Sequence, residues 1–81
     1  MATTELEIMG AILHLRDELR SGRALATVHE AGLSNADVAR IIGVSASSVW
    51  RYLNAERRPR RGPALKLIRL LEQLEVVRSA S

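Results

Sequence analysis

The sequence contains no cysteine and no phenylalanine, and Trp50 and Tyr52 are its only large aromatic residues. Without cysteine, neither a disulfide framework nor a thiolate metal site is possible. A β-sandwich or β-barrel usually contains more aromatic and β-branched residues than this chain offers. The longest apolar run is too short to span a bilayer, and the acidic N-terminus does not resemble a signal peptide. These absences favour a small helical protein of the cytoplasm that has no membrane partner.

A length of 81 residues allows one domain with a modest core. A domain of this size leaves little room for a catalytic cavity, and the sequence contains neither a nucleophile elbow nor a glycine-rich phosphate loop. The two histidines, His14 and His29, are interpreted as having no carboxylate partner at ligand spacing. We therefore expect no enzymatic activity, no metal site and no cofactor.

The basic residues are nearly all arginine, because Lys66 is the one lysine among the twelve. Residues 1–33 carry three bases against five acids, whereas residues 34–81 carry nine bases against four acids. Five of those nine bases lie between Arg51 and Arg61. Arginine presents a planar fork of donors that suits phosphates and guanine edges. The imbalance indicates either a surface that faces a polyanion or a solvated basic surface.

Apolar residues recur at helical spacing, and leucine, alanine, glutamate and arginine are abundant. Thr4 and Glu7 fit a capping box at the start of the first helix, and Ser34 and Ser45 are typical N-caps of later helices. The pattern predicts five helices, over residues 4–21, 23–31, 34–43, 45–54 and 63–77. No run alternates long enough to form a strand. The expected fold class is therefore all-α, a compact bundle of about five helices.

The most informative stretch is residues 35–54, where two short helices meet across a three-residue turn. Such a corner needs a small residue where the helices cross, which Ala39 provides, and a residue that tolerates a positive φ, which Gly43 provides. Val44 is expected to fill the apolar space inside the corner. The residues expected to complete its core are Val38, Ile42, Val49 and Tyr52. This spacing is the helix-turn-helix pattern, and the alternative is a helical corner with no nucleic-acid partner.

Residues 33–74 resemble the helix-turn-helix domain of the phage Cro and repressor family, also called the XRE family. The matching residues are Leu33, Ser34, Val38, Ala39, Gly43, Val44, Ser45, Ser47, Val49, Arg51, Tyr52 and Pro59, followed by segment 62–65 and a leucine-rich helix. With residues 23–31 as the opening helix, the resemblance covers about residues 23–75 and implies a lambda-repressor-like fold. The chain departs from the family at Leu53, where glutamate is common, and at Ala55, where glycine is common.

The resemblance implies a division of the chain into three parts. Residues 1–22 form an N-terminal helix that is extra to the family domain, residues 23–77 form the helix-turn-helix domain, and residues 78–81 form a frayed tail. The charge difference suggests that the acidic first helix is kept away from any polyanion.

In this family the second helix of the motif lies in the major groove of DNA. The resemblance implies that its outward residues read bases, and these are Ser45, Ala46, Ser47, Trp50, Arg51 and Asn54. Arg51 is the first choice because arginine pairs bidentately with guanine, with a phosphate contact or a salt bridge to Glu56 as the alternative. Trp50 either contacts DNA or packs on the loop around Pro59. The alternative roles of Ser45 and Asn54 are to cap and to end the helix.

A second group of residues is expected to contact phosphates, which supply affinity without sequence choice. One lies at the N-terminus of the first motif helix, one on the outer face of that helix, and four in the basic loop over residues 56–62. These residues are Asn35, Arg40, Arg57, Arg58, Arg60 and Arg61. The alternative for the loop is a solvated surface, and we expect at least two of its four arginines to touch DNA.

The first and last helices each carry two apolar stripes, which is more apolar surface than one small core requires. We expect the surplus to form a homodimer through helix 4–21, helix 63–77 or both. The sequence therefore predicts a sequence-specific regulator of transcription that binds double-stranded DNA, of the phage or prophage repressor or Cro-like kind. One alternative is an antitoxin whose first 22 residues bind a toxin. The other is a helical interaction module with no DNA role.

Overall fold

The computed structural model describes residues 4–80, which form five α-helices and no β-strand. The helices are α1 (Glu5–Ser21), α2 (Arg23–Glu30), α3 (Asn35–Ile42), α4 (Ala46–Leu53) and α5 (Arg61–Ala80). The expected all-α fold of about five helices is confirmed. Residues 1–3 and Ser81, the last residue of the predicted tail, lie outside the described residues.

Local capping explains where α1 and α3 begin. The Thr4 hydroxyl accepts a hydrogen bond from the Glu7 N–H at 3.2 Å. At Ser34 the capping box is complete, because the Ser34 N–H donates to the Asp37 carboxylate at 2.9 Å and the Asp37 N–H donates to the Ser34 hydroxyl at 3.1 Å. Both helices therefore start where backbone N–H groups that lack a partner within the helix gain one from a side chain.

The last helix is longer at both ends than the sequence pattern predicts. α5 begins at Arg61 rather than at Pro63, because the Ala64 N–H already donates to the Arg60 carbonyl at 2.8 Å. Proline is accommodated in this first turn, where a backbone N–H has no partner within the helix. At the other end the helix continues through Ala80, so the boundary predicted at Val77 is wrong by three residues.

An ion pair holds the C-terminal end of α5 against α2. Arg78 Nη1 lies 3.0 Å from Glu30 Oε2, and both side chains remain more than half exposed. The tail predicted to start at residue 78 is therefore helical up to Ala80, and its first residue is tied to another helix.

The hydrophobic core lies where α5 packs against α1, α2 and α3, while α1 also packs against α2 and α4. α1 contributes Leu15 and Leu19, both from its second half, and α5 contributes Ala64, Leu67 and Leu70. No polar or charged side chain among residues 4–80 is buried. The core therefore depends on apolar packing, and burial orients the five helices without an internal polar network.

The corner between α3 and α4 has the geometry that its sequence predicts. Gly43 has φ 76°, and the N–H groups of Gly43 and Val44 both donate to the Ala39 carbonyl, at 2.8 and 3.1 Å. Ala39 is buried, and Val44 packs against the core from a half-buried position. The inward residues are buried as well, and these are Val38, Ile42, Val49 and Tyr52. The predicted core of the corner is confirmed.

Candidate nucleic-acid interface

The helix α4 has two faces of different character. Val49, Tyr52 and Leu53 are between 1% and 5% exposed and anchor the helix in the core. The predicted base-reading residues are all exposed, and these are Ser45, Ala46, Ser47, Trp50, Arg51 and Asn54. This split follows from the helical period, which brings residues three and four apart onto one side. Packing therefore fixes one face of α4 and leaves the other open.

Leu53 shows what one departure from the Cro and repressor family does here. Its side chain is only 2% exposed, so the position where that family commonly has glutamate serves the core of this chain. Burial of leucine at the end of α4 adds an apolar anchor next to Tyr52.

Arg51 lies in the last turn of α4 with an exposed side chain. Its guanidinium makes no hydrogen bond or ion pair with any residue from 4 to 80, so the salt bridge to Glu56 weighed above is not formed. The contact between these two residues is through the backbone, where the Glu56 N–H donates to the Arg51 carbonyl at 2.8 Å. All five N–H donors of Arg51 thus remain available to a ligand.

Trp50 stands beside Arg51 on the outward side of α4. Its side chain is 48% exposed, which is unusual for a large aromatic residue and places it outside the core. An exposed indole next to an unpaired arginine offers both an apolar surface and hydrogen-bond donors. This combination suits the edge of a base pair, where methyl groups and acceptors lie side by side.

The polar residues at the two ends of α4 already have partners inside the helix. The Ser45 hydroxyl accepts a hydrogen bond from the Ser48 N–H at 3.1 Å and donates to the Ser48 hydroxyl at 2.9 Å. The Asn54 amide donates to the Trp50 carbonyl at 2.8 Å. Ser47 makes no such bond with residues 4–80, so its hydroxyl is the one uncommitted serine group on this face. The alternative roles of capping and ending the helix are therefore both realised.

The basic loop after α4 presents three arginines to solvent. Arg57, Arg58 and Arg60 are exposed and make no ion pair with any described residue. Three positive charges without partners within a few residues attract an anion more strongly than the same charges would if neutralised.

Arg61 differs from the other predicted phosphate-binding arginines. Its guanidinium forms a bidentate pair with Glu5 at the start of α1, with Nη2 and Oε2 2.9 Å apart. The hydrogen bonds from Arg61 lower the pKa of the Glu5 carboxyl, and the same pair raises the pKa of Arg61. The charge of Arg61 is therefore largely neutralised, which weakens its predicted role as a phosphate contact.

The pair between Glu5 and Arg61 also shows where the start of α1 lies relative to the basic loop. The acidic start of α1 lies beside the end of the basic loop, because Glu5 is bound to the first residue of α5. The expectation that the acidic helix is kept away from a polyanion stays a prediction, although the first turn of that helix lies next to the basic loop.

The two remaining predicted phosphate contacts lie on α3, one at its N-terminus and one in its last turn. Asn35 is the first residue of the helix and is half-buried. Arg40 is exposed and forms an ion pair with Asp37. Hydrogen bonds from Ser34, with a further one from Arg40, hold the pKa of Asp37 below its usual value. Asn35 thus sits at a helix N-terminus that favours anions, whereas Arg40 carries a carboxylate beside it.

A further cation lies at the corner, and the sequence reasoning did not include it. Lys66, from α5, reaches the turn between α3 and α4: a Cβ placed on Gly43 would lie 3.6 Å from Lys66 Nζ. The side chain is exposed and has no ion-pair partner among residues 4–80. The feature of the sequence that could have pointed to Lys66 is that it is the one lysine in a chain rich in arginine.

No group of three or more histidine, cysteine, aspartate or glutamate side chains among residues 4–80 is arranged to hold a metal ion. His14 does have a carboxylate partner, since its Nε2 lies 3.3 Å from Glu18 Oε1 one helical turn away. The interpretation that neither histidine has such a partner is therefore wrong for His14. Within the same residues, no helix is long and apolar enough to cross a membrane.

Comparison with known proteins identifies the family of the chain. The family model described as a helix-turn-helix domain matches residues 14–80, which is most of the chain. The match begins inside α1, earlier than residue 23, where the resemblance to the Cro and repressor family starts. No curated protein and no solved structure matches the chain significantly. The chain belongs to the helix-turn-helix domain family, a DNA-binding family consistent with its likeness to the Cro and repressor domains.

Proposed function

We propose that this protein is a sequence-specific regulator of transcription that binds double-stranded DNA, of the phage or prophage repressor or Cro-like kind. The observation that carries the proposal is the two-sided character of α4. One face is locked into the core, and the other presents Trp50 and Arg51 without partners. A rigid helix with an open polar face is what insertion into the major groove requires.

The exposed residues form two groups, one that contacts base edges and one that contacts phosphates. Arg51, Trp50 and Ser47 contact base edges, because they lie on the outward side of α4. Arg57, Arg58 and Arg60 contact phosphates, since flexible unpaired charges supply affinity irrespective of sequence. Asn35 holds a phosphate at the N-terminus of α3. The two ends of α4 are formed by Ser45, Ala46 and Asn54, and these residues allow the backbone of the helix to approach the groove.

Further properties belong to the same proposal. The regulator acts in the cytoplasm, where the DNA is, and it has no enzymatic activity. It binds as a homodimer, because one domain of this size covers little DNA surface and two copies read two half-sites.

A second candidate function is that of a DNA-binding antitoxin. A groove of about 750 Å³ lies between α1, α2 and α5, with no residue of α4 in its lining. Leu15, Ile68 and Leu71 line it, and Glu72 and Glu75 stand at its edge. Such a groove leaves room for a protein partner while DNA occupies α4. Co-expression with candidate toxins, followed by co-purification, separates this function from regulation without a partner.

Selection from a pool of random duplexes tests the main proposal. The native chain is expected to enrich one short sequence, repeated in inverted orientation. A chain with both Trp50→Ala and Arg51→Ala keeps the fold, because both side chains are exposed, and is expected to enrich nothing. The matched control is Arg69→Ala, an exposed arginine on α5, which should enrich the native sequence. Absence of any enriched sequence with the native chain would contradict the proposal.

A further inference from the structure

The outer side of α1 carries an apolar stripe that the folded chain leaves exposed. Leu6, Met9 and Leu13 are 80%, 54% and 56% exposed, although all three are large apolar residues. They lie on the side of the helix opposite Leu15 and Leu19, which enter the core. Their spacing of three and then four residues is the a and d spacing of paired helices. The stripe is therefore continuous and suited to another helix.

Gly10 lies next to this stripe, in the interior of α1. Glycine in a helix interior is less favourable than alanine. A Cβ placed on Gly10 would meet no atom within 4 Å, so nothing in the folded chain requires a glycine here. The close approach of a second helix backbone would require a small residue at this position.

Charge decides the orientation of the second helix. Continued at the same spacing, the stripe reaches Arg16 and then Arg20, while Glu5 lies at its beginning. Two α1 helices in parallel would bring each of these arginines against its own copy. In the antiparallel arrangement, Arg16 of one copy meets the first turn of the other copy, where Glu5 is 63% exposed even when paired with Arg61. The antiparallel pair is thus complementary in charge.

We propose that α1 pairs in antiparallel orientation with α1 of a second copy of this chain, and that this is the interface of the homodimer. The inference rests on the proposed function, which requires two copies. In antiparallel pairs an a residue packs against a d residue, so Met9 packs against Leu13 of the other copy. The aliphatic stem of Arg16 then covers Leu6 of the other copy, and its guanidinium reaches Glu5 there.

The size of the stripe sets the strength of this dimer. Three apolar side chains from each copy bury less surface than a standard stable interface. The dimer is therefore weak, and it dissociates on dilution. Two half-sites on one duplex hold two copies close together and favour the pair on DNA.

Sedimentation equilibrium without DNA tests the interface. The native chain is expected to shift from monomer to dimer as its concentration rises. The double variant Met9→Lys with Leu13→Lys should raise the dimer Kd by roughly tenfold or more, because two charges replace apolar contacts in each copy. Both side chains are exposed in the monomer, so circular dichroism should show an unchanged helix content.

The control variant is Val76→Lys with Val77→Lys. These residues of α5 are 69% and 66% exposed, which matches the exposure of the stripe. The control should keep the native dimer Kd. A control that dissociates while the stripe variant does not would overturn the proposal.

Disulfide cross-linking tests the orientation. Because the chain has no native cysteine, disulfides can form only between the introduced residues. A mixture of the Met9→Cys and Leu13→Cys chains should form a cross-linked heterodimer under mild oxidation. The Leu6→Cys chain should not cross-link with itself, because in the antiparallel pair its two copies lie about 15 Å apart along the axis. A parallel pair reverses both results, and that reversal overturns the proposal.

These tests are separate from the test of DNA binding. A native chain that stays monomeric at every concentration, and also on an inverted repeat, overturns the dimer interface together with the proposed homodimer, and leaves only DNA binding through α4 standing. A chain that forms the antiparallel dimer but selects no DNA sequence supports the interface and contradicts the regulatory function.

Discussion

At the residue scale, the proposed function makes Arg51 the side chain on which sequence recognition most depends. It is the exposed arginine of α4, and no residue from 4 to 80 engages its guanidinium. Arginine offers guanine two parallel donors from one rigid planar group, whereas lysine offers a compact ammonium on a flexible stem. The chemistry of recognition therefore depends on the shape of this group as well as on its charge.

We predict that Arg51→Ala loses discrimination at one base position by about 1–3 kcal/mol, because it can no longer form the paired contact. Arg51→Lys should keep most of its affinity for unrelated duplexes, since the charge is retained. Fluorescence anisotropy with the selected site and its single-base variants measures both effects. If Arg51→Ala discriminates bases as well as the native chain, Arg51 contacts a phosphate instead.

Ala55 is a second residue whose conformation affects a measurable property, the free energy of unfolding. Its φ is 57°, which makes it the one residue other than glycine with a positive φ among those described. The left-handed conformation is unfavourable for a residue with a Cβ, which explains why related domains commonly carry glycine at this position. The end of α4 is thus under mild backbone strain.

We predict that Ala55→Gly raises the free energy of unfolding by about 1 kcal/mol, because it removes this strain. Gly43→Ala is the matched opposite change and should lower it by a similar amount, since Gly43 has φ 76°. Urea denaturation followed by circular dichroism gives both values. The account of the corner is wrong if the two substitutions shift the midpoint in the same direction.

At the scale of the element, capping sets the position of α3 and therefore the corner. Ser34 and Asp37 exchange two hydrogen bonds, and Arg40 adds an ion pair to the same carboxylate. These contacts lower the pKa of Asp37, and the pair with Arg61 lowers the pKa of Glu5. A carboxylate with a lowered pKa in the folded state stabilises the fold above its unfolded pKa. That contribution is lost as the pH falls through the folded pKa.

We predict that the free energy of unfolding falls as the pH drops below the ordinary carboxyl pKa values. The variant Asp37→Asn should lose stability at neutral pH and show a smaller decrease on acidification, because the titrating group is gone. Urea denaturation at neutral and at acidic pH measures the difference between the two chains. A decrease of equal size in both chains would show that Asp37 does not contribute to it.

The elements also show which features of the fold the sequence could predict. The corner was predictable because its requirements are local: a small Ala39, a permissive Gly43 and apolar residues at fixed spacing. The start of α5 was not, because it is set by a backbone hydrogen bond from the Ala64 N–H to the Arg60 carbonyl, which the spacing of side chains does not reveal. The end of α5 was missed because Glu30 of α2 holds Arg78 there, and this contact joins two helices that are far apart in the sequence.

The candidate site was predictable to a similar extent. Helical spacing separates the outward face of α4 from the inward face, so the exposed residues followed from the pattern. The pairing of Arg61 did not follow, because it depends on the packing of α1 against α5, whereas the pairing of Arg40 with Asp37 lies within α3 and could have been read from their spacing. The partner of His14 could have been read from the sequence, since Glu18 lies one helical turn away.

At the scale of the whole molecule, four unpaired cations are clustered in α4 and the loop that follows it, while Arg16, Arg20, Lys66 and Arg69 are unpaired elsewhere among residues 4–80. Arg51, Arg57, Arg58 and Arg60 have no partners among residues 4–80, and they lie in or directly after α4. Arg40 and Arg61 are neutralised by carboxylates. Fewer phosphate contacts are therefore expected than the arginine count alone suggests.

We predict that replacing Arg57, Arg58 and Arg60 by alanine weakens binding to all duplexes alike. The slope of log K against log salt should become less steep by about 3 for each bound domain, because three counterions fewer are released. Arg61→Ala is the matched control and should change the slope much less, since Glu5 already neutralises this charge. A decrease in slope of about 1 in Arg61→Ala would show that the Glu5–Arg61 pair opens when DNA binds, because one phosphate contact would then be lost.

The central claim is that the outward face of α4 is the surface that contacts DNA. Backbone amide NMR spectra of the native chain, recorded while a duplex selected by the protein is added, test it most directly. The account predicts that the largest shifts fall in residues 45–54 and in the loop over residues 56–60, with little change at Leu6, Met9 and Leu13 beyond what dimer formation without DNA produces. Shifts concentrated on α1 or on the groove between α1, α2 and α5, with α4 unchanged, would contradict it.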